Sequence, residues 1–320
     1  MRTIHCIFLA TIVMHCAFER LAMAEDPIRS TDYMKSIATL EQIVRQELTE
    51  HELHGMAVAL VDDQRIVYSV GFGNAKRDSI FRAGSISKLF NALAVMQLVE
   101  QGKLDLDAPI ETYGPQFKVV VPFENVPALT MRQLLCHRSG MIRESPVGGY
   151  FDFREPGLAK TVASIRSCVL VNPPNTKTRY SNIGPSIAGQ ILATVTGVDY
   201  ARYQQEHLLK PLGMASSSFV LAGVPRQRLA KSYMQVADGH GGFAEQEAPV
   251  FDLGTIPAGN LFTTAEDLAR FVSMLAADGS AGGKQIVSKA TLRQMWTPQL
   301  IKDEAGFGLG FMVGKFRNHK

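Results

Sequence analysis

The sequence predicts an α/β chain of the α+β type. An antiparallel sheet is built from both chain ends, helices flank it, and a large helical region is inserted between the strands. Three observations lead there. Two strand-like runs stand early, at residues 56–61 and 66–70. A strand-like stretch returns late, at residues 308–313. Between them helical periodicity dominates. The early pair is joined by Asp62-Asp63-Gln64-Arg65, a hairpin-length connection, so the sheet is mostly antiparallel.

The elements follow in order. Residues 33–51 read as a helix, with Ile37, Leu40, Ile43, Val44 and Leu48 at helical spacing. Gly71 and Gly73 end the second strand. From Ser85 to Gly102 the apolar residues, Leu89 to Leu98 among them, cover nearly the whole circumference of a helix. A helix apolar on every side is a central, buried one. Residues 103–250 read as helices and loops. Asn182 to Thr196 forms a helix closed by Gly197, and Asp199 starts another that ends before Pro211. Thr264 caps a third helix that Gly279 closes, and Ser288 caps a fourth that ends before Pro298. The expected division is a leader at 1–24, the N-terminal part of the sheet domain at 25–84, a mostly helical region at 85–255, and a return to the α/β domain at 256–320.

The 320 residues are 46% hydrophobic, enough to bury a full core. The formal net charge is +3 and no run of five basic residues occurs, so nucleic acid is not an expected partner. Residues 1–24 read as an export signal. Arg2 gives a positive start, and an apolar stretch interrupted by His5 and His15 follows. Ala22-Met23-Ala24 then offers small residues for cleavage before Glu25. That stretch is too short to span a bilayer, so a periplasmic or extracellular location without stable membrane insertion is expected. The competing reading is an amphipathic N-terminal helix. Cys6 and Cys16 leave with the signal. Cys136 and Cys168 could pair in an oxidising compartment, or lie apart as small buried hydrophobes.

Two short patterns carry chemistry. Ser85-Ile86-Ser87-Lys88 opens the most apolar helix. A serine and a lysine three apart lie one turn apart on one face, so the amine reaches the hydroxyl. Serine needs a neighbouring base, and a lysine serves if desolvation favours its neutral form. The serine also sits at the positive end of the helix dipole. The second pattern is Tyr180-Ser181-Asn182, between a Pro-Pro-Asn-Thr loop and a helix. Tyrosine can relay a proton, and asparagine can donate to a substrate carbonyl while ordering the lysine. Other chemistries lack their patterns. No clustered histidines suggest a metal, and no cofactor is expected. Gly184-Pro185-Ser186-Ile187-Ala188 is a near miss of the nucleophile elbow and lacks its preceding strand. Residues 279–284 are one residue short of a phosphate loop and read as a turn.

Together these stretches resemble the serine β-lactamase and penicillin-binding family, in its class C-like branch with DD-peptidases and esterases. The resemblance spans about residues 33–320. It runs through Phe81-Arg82-Ala83-Gly84-Ser85-Ile86-Ser87-Lys88 and Leu134-Leu135-Cys136-His137-Arg138-Ser139-Gly140. It continues in Tyr180-Ser181-Asn182-Ile183-Gly184, Pro257-Ala258-Gly259-Asn260-Leu261 and Gly308-Leu309-Gly310-Phe311. It implies a β-lactamase/transpeptidase-like fold with Ser85 as the acylated nucleophile and Lys88 as general base. Tyr180 would protonate the leaving group, Asn182 would bind the substrate amide, and the Ser85 N–H would be one oxyanion donor. His137 and Ser139 would be structural support. The implied substrate is a β-lactam, a D-Ala-D-Ala peptide of peptidoglycan or a small ester.

The family's third motif, Lys-Thr-Gly or His-x-Gly on the strand after the Gly-Leu-Gly-Phe stretch, is not found before Lys320. His240-Gly241-Gly242 matches the letters but stands in a Gly-rich loop and reads as a turn, and no glycine follows His319 in the required place. The expectation is a C-terminally incomplete site, with the late strand left as an open edge. Two readings remain: an active hydrolase whose chain continues, or a truncated relic that binds penicillin or muropeptide without turnover.

Overall fold

The computed structural model describes residues 28–29, 31–299 and 306–314. The leader reading, with Cys6 and Cys16, lies outside the described residues, as does His319. The chain opens with β1 (Ile28–Arg29), α1 (Met34–Glu50), β2 (Gly55–Asp62) and β3 (Arg65–Gly73). These strands form an antiparallel sheet in the order β1-β3-β2. The β2–β3 turn places Asp63 (φ 46°) and Gln64 (φ 65°) in the left-handed region. Two successive left-handed residues match the twist of a tight hairpin. Ile37 and Val44 of α1 pack on Tyr68 and Phe72 of β3, with Met56, Val58 and Leu60 of β2 beside them.

The middle of the chain holds β4 (Phe81–Arg82), α2 (Ser87–Glu100), α3 (Met131–Leu135), α4 (Gly157–Ser164), α5 (Ile183–Thr196) and α6 (Tyr200–Gln204). A hairpin of β5 (Tyr233–Ala237) and β6 (Phe243–Glu247) follows, then α7 (Ile256–Gly259), β7 (Phe262–Thr263) and α8 (Ala265–Ala276). The last elements are β8 (Ser280–Ala281), β9 (Lys284–Gln285), α9 (Lys289–Met295), β10 (Gly306–Phe307) and β11 (Met312–Val313). α8 packs against β2 and β3, while α2 packs against α5 and α7.

The α2 helix is the centre of the largest core, as its apolar circumference requires. Phe90, Leu93, Val95, Met96 and Leu98 are all buried there. Phe90 stacks on Phe271 of α8 with ring centroids 4.3 Å apart. Truncating Leu93 or Met96 to alanine would cost about 2–5 kcal/mol. The caps follow the sequence. Thr264 accepts from Asp267 N–H, Ser288 from Thr291 N–H, and Asp199 from Ala201 and Arg202 N–H.

Three elements differ from the sequence reading. First, α2 begins at Ser87, because Gly84 at φ +54° leaves Ser85 and Ile86 in a turn ahead of it. Second, residues 308–313 are not one strand. β10 and β11 pair with each other, and Gly310 at φ +82° turns the chain between them. Among the described residues the three-stranded sheet therefore draws on N-terminal strands alone. Early and late chain meet instead in the antiparallel β4–β7 ladder. Third, the β5–β6 hairpin interrupts the stretch read as helices and loops. His240-Gly241-Gly242 sits at its tip, where Asp238 N–H donates to Gly242 O. Cys136 and Cys168 are both free and buried, and burial pushes the Cys136 thiol up to about 11.

Candidate active site

The turn ahead of α2 presents Ser85 and Ile86 to solvent, while Ser87 and Lys88 are buried. Ser87 anchors that turn. Its hydroxyl donates to Gly84 O at 2.6 Å and accepts from Leu261 N–H at 2.9 Å. The Ser85 loop is thereby tied to the segment that leads from α7 into β7. Asn260 of that segment fixes the other side. It accepts from Arg82 at 2.6 Å and donates to Phe219 O and Asp252.

Lys88 lies one turn into the helix and is only 4% exposed. Its Nζ donates to Ser85 Oγ at 3.0 Å and to Ala258 O at 2.7 Å. Burial lowers its pKa to about 7; the nearby Glu144 carboxylate acts against that drop and Arg143 adds to it. A lysine near 7 is partly neutral at physiological pH and can take a proton from Ser85 Oγ. Tyr180 OH donates to the same Ser85 Oγ at 2.7 Å. The lysine Nζ also stands 4.9 Å from the centre of the Tyr180 ring. Two sequence-derived residues thus converge on the hydroxyl oxygen of a third.

His137 supports this cluster from behind. Its left-handed backbone (φ 58°) turns the chain at the end of α3. The ring stacks against Tyr180 at 4.4 Å and meets Phe307 edge-on at 4.9 Å. Its Nδ1 accepts from Ser181 N–H at 3.2 Å. Burial first, and the Lys88 charge second, depress its pKa to about 3, so the imidazole is neutral at working pH. Ser139 Oγ accepts from Met141 N–H and touches no reacting group.

Asn182, the fourth expected residue, is 2% exposed and has no direct bond to Lys88. Its Nδ2 donates to Glu144 Oε1 at 2.8 Å. A carboxylate only accepts, so chemistry fixes which end of the amide faces it. Glu144 is the residue that sequence reasoning missed. Residues 142–144 run beside the Tyr180 arm: Ser181 Oγ donates to Ile142 O at 2.8 Å and Asn182 N–H to Arg143 O at 2.8 Å. Arg143 also places its guanidinium 5.4 Å from the Tyr180 ring. Asn182 Oδ1 and Glu144 Oε2 are buried and take no proton from any described residue. Orphaned acceptors of this kind cost about 1–3 kcal/mol each and collect at functional sites.

The described residues contain no cluster of three His, Cys, Asp or Glu that could hold a metal, and no helix long and apolar enough to cross a membrane.

The fold defines the class first: the β-lactamase/transpeptidase scaffold, shared by a family of serine hydrolases. The chain belongs to the Beta-lactamase family, whose model matches residues 40–319. Penicillin-binding protein 4 of Amycolatopsis lactamdurans is 31% identical over 262 residues, covering 77% of this chain and 66% of the relative. Esterase EstB of Burkholderia gladioli is 28% identical over 285 residues, covering 78% of this chain and 72% of the esterase. The octameric penicillin-binding protein homologue from Pyrococcus abyssi superposes with a TM-score of 0.68 at 28% identity, over 86% of this chain and 64% of that one. The chain spans about half the length of other curated relatives it matches.

Proposed function

We propose that this protein is a serine hydrolase that works through an acyl-enzyme on Ser85. The observation that carries the reading is the pair of hydrogen bonds on Ser85 Oγ, from Lys88 Nζ at 3.0 Å and Tyr180 OH at 2.7 Å. Neutral Lys88 takes the hydroxyl proton as Oγ attacks the substrate carbonyl. Tyr180 passes a proton to the leaving group, and the Ser85 N–H at the mouth of α2 steadies the oxyanion. Water then releases the acid and restores Ser85. Asn182 lies on the acyl side, where it contacts the substrate amide. Substrates of this reading are a β-lactam, a D-Ala-D-Ala peptide or a small ester. Relatives named as a penicillin-binding protein and an esterase support that range. We further propose export, with cleavage before Glu25, on the strength of residues 1–24.

Intact-mass analysis after incubation with a penicillin tests the mechanism, with Ser85→Ala beside it. The expected result is a penicillin-sized gain on the wild type alone. Decay of that adduct within minutes marks a β-lactamase, and persistence marks a slow penicillin binder. Equal labelling of the Ser85→Ala variant would remove the nucleophile assignment. N-terminal sequencing of the secreted protein, beginning at Glu25, tests export.

A further inference from the structure

Arg143 and Glu144 form one edge of a cavity of about 500 Å³. Those two residues already touch the site, through the Tyr180 ring and the Asn182 amide. Tyr150 closes a second edge. Its hydroxyl lies against Gly259, next to the Ala258 carbonyl that holds Lys88, so close that a Cβ at Gly259 would sit 2.6 Å from it. Burial raises the Tyr150 pKa, which keeps this hydroxyl neutral. Apart from Arg82 and Ser232 the rest of the wall is apolar, with Phe151, Phe153, Val250 and Phe251. Phe153 meets Phe251 edge-on at 4.8 Å, and the Arg82 guanidinium backs Phe251 at 5.8 Å.

Phe151 is 81% exposed and Phe153 is 58% exposed. Two exposed aromatic side chains lining one cavity form an apolar patch of the kind that marks an interaction site. A cavity of this size with apolar walls and a few polar edge groups has the form of a small-molecule site. Of the three charged residues that line it, Arg143 Nε pairs with Glu144 Oε1 at 3.2 Å, and the Arg82 guanidinium is engaged by Asn260 Oδ1 and the Phe251 carbonyl. The free lining is therefore mainly apolar area.

We propose that this cavity is the acyl subsite and takes an apolar acyl group, of medium-chain or aryl size. The proposal rests on the acyl-enzyme reading above, which puts Asn182 and its partner Glu144 on the acyl side. Ser85 Oγ bonds to the carbonyl carbon of such an ester, the alcohol leaves with the proton, and water later releases the carboxylic acid.

A series of p-nitrophenyl esters from acetyl to hexanoyl tests it. Each methylene that enters the cavity raises kcat/KM by up to about fourfold, equivalent to ~0.8 kcal/mol. The expected hexanoyl-to-acetyl ratio is at least about thirtyfold in the wild type and below about fivefold in the double variant Phe151→Ser/Phe153→Ser. A flat wild-type series, or a steep series that survives the double variant, overturns the proposal. A second readout needs no turnover. In a Ser85→Ala background, saturation-transfer NMR with 4-phenylbutyramide should show transfer to the aryl protons, and the double variant should abolish it. Transfer that persists in the double variant, or is absent from the parent, refutes the subsite even if Ser85 proves inert. A fluorophosphonate that fails to label wild-type Ser85 would strike the acyl-enzyme reading and leave the binding result standing.

Discussion

Two stretches border the Ser85, Lys88 and Tyr180 cluster and differ in nearly every physical respect. Residues 84–88 enter the most buried helix of the protein. The Ser87 hydroxyl and the Lys88 amine are tied to Gly84, Leu261 and Ala258 by bonds of 2.6–2.9 Å. Residues 142–153 form an irregular loop that carries an exposed ion pair and two solvent-facing phenylalanines. The first stretch gives a fixed geometry to a single oxygen. The second gives an adjustable surface. Reaction chemistry demands placement within a fraction of an ångström, so it is housed in a core. Selection among substrates demands shape, and shape can change in a loop without touching the core.

That contrast can be broken or sharpened by substitution, beginning with the largest effect. Ser85→Ala should abolish turnover, because Ser85 Oγ is the oxygen to which both Lys88 Nζ and Tyr180 OH donate; retained activity in a purified sample would sink the mechanism. Lys88→Met should lower kcat/KM by at least about 10³-fold while thermal unfolding stays level or rises, since the change removes a desolvated amine. A large loss of melting temperature would instead make Lys88 a structural group. Tyr180→Phe removes the proton relay but keeps the ring against His137. Its expected cost is about 10²–10³ in kcat, with KM little altered.

The smallest expected effect is the most diagnostic. Lys88 must be neutral to act, so activity should fall as pH drops through about 7. Glu144 raises the Lys88 pKa, so Glu144→Gln should move that acidic limb to lower pH. The glutamine oxygen can still accept from Asn182, and the plateau rate should change less than about threefold. A pH–rate profile of kcat/KM for the two proteins decides the point. An unmoved limb would show that Glu144 only braces Asn182.

The same contrast explains what was legible in the sequence. A lysine on a helix apolar all round is an anomaly that demands a use, and it pointed to Ser85 at once. The hairpin of β2 and β3 was legible from β-branched runs flanking polar residues. Ala258 stood in a recognisable stretch, yet its role, a carbonyl that holds Lys88, resides in the backbone and leaves no side-chain signal. Glu144 stands in a loop without periodicity, and only the need of Asn182 for a partner could have hinted at it. The β5–β6 hairpin escaped because Gln235, Glu245, Gln246 and Glu247 face water, so the apolar alternation that marks a strand is missing. The late strand was misplaced because Gly306, Gly308 and Gly310 allow a turn that letters alone do not reveal.

Gly310 has one more consequence, which concerns time. A Cβ there would lie 2.3 Å from Ala92 Cβ, and its N–H donates to Leu135 O at 3.0 Å. The late chain is thereby seated against the helix that holds Lys88, while the Lys88–Ala258 bond bridges 170 residues. Contacts so distant in sequence close late, because loop entropy must be overcome first. A chain emerging from the ribosome therefore carries its serine and lysine long before the surroundings that tune them. Hydrolytic activity would be the last property to appear on refolding, lagging behind helix formation.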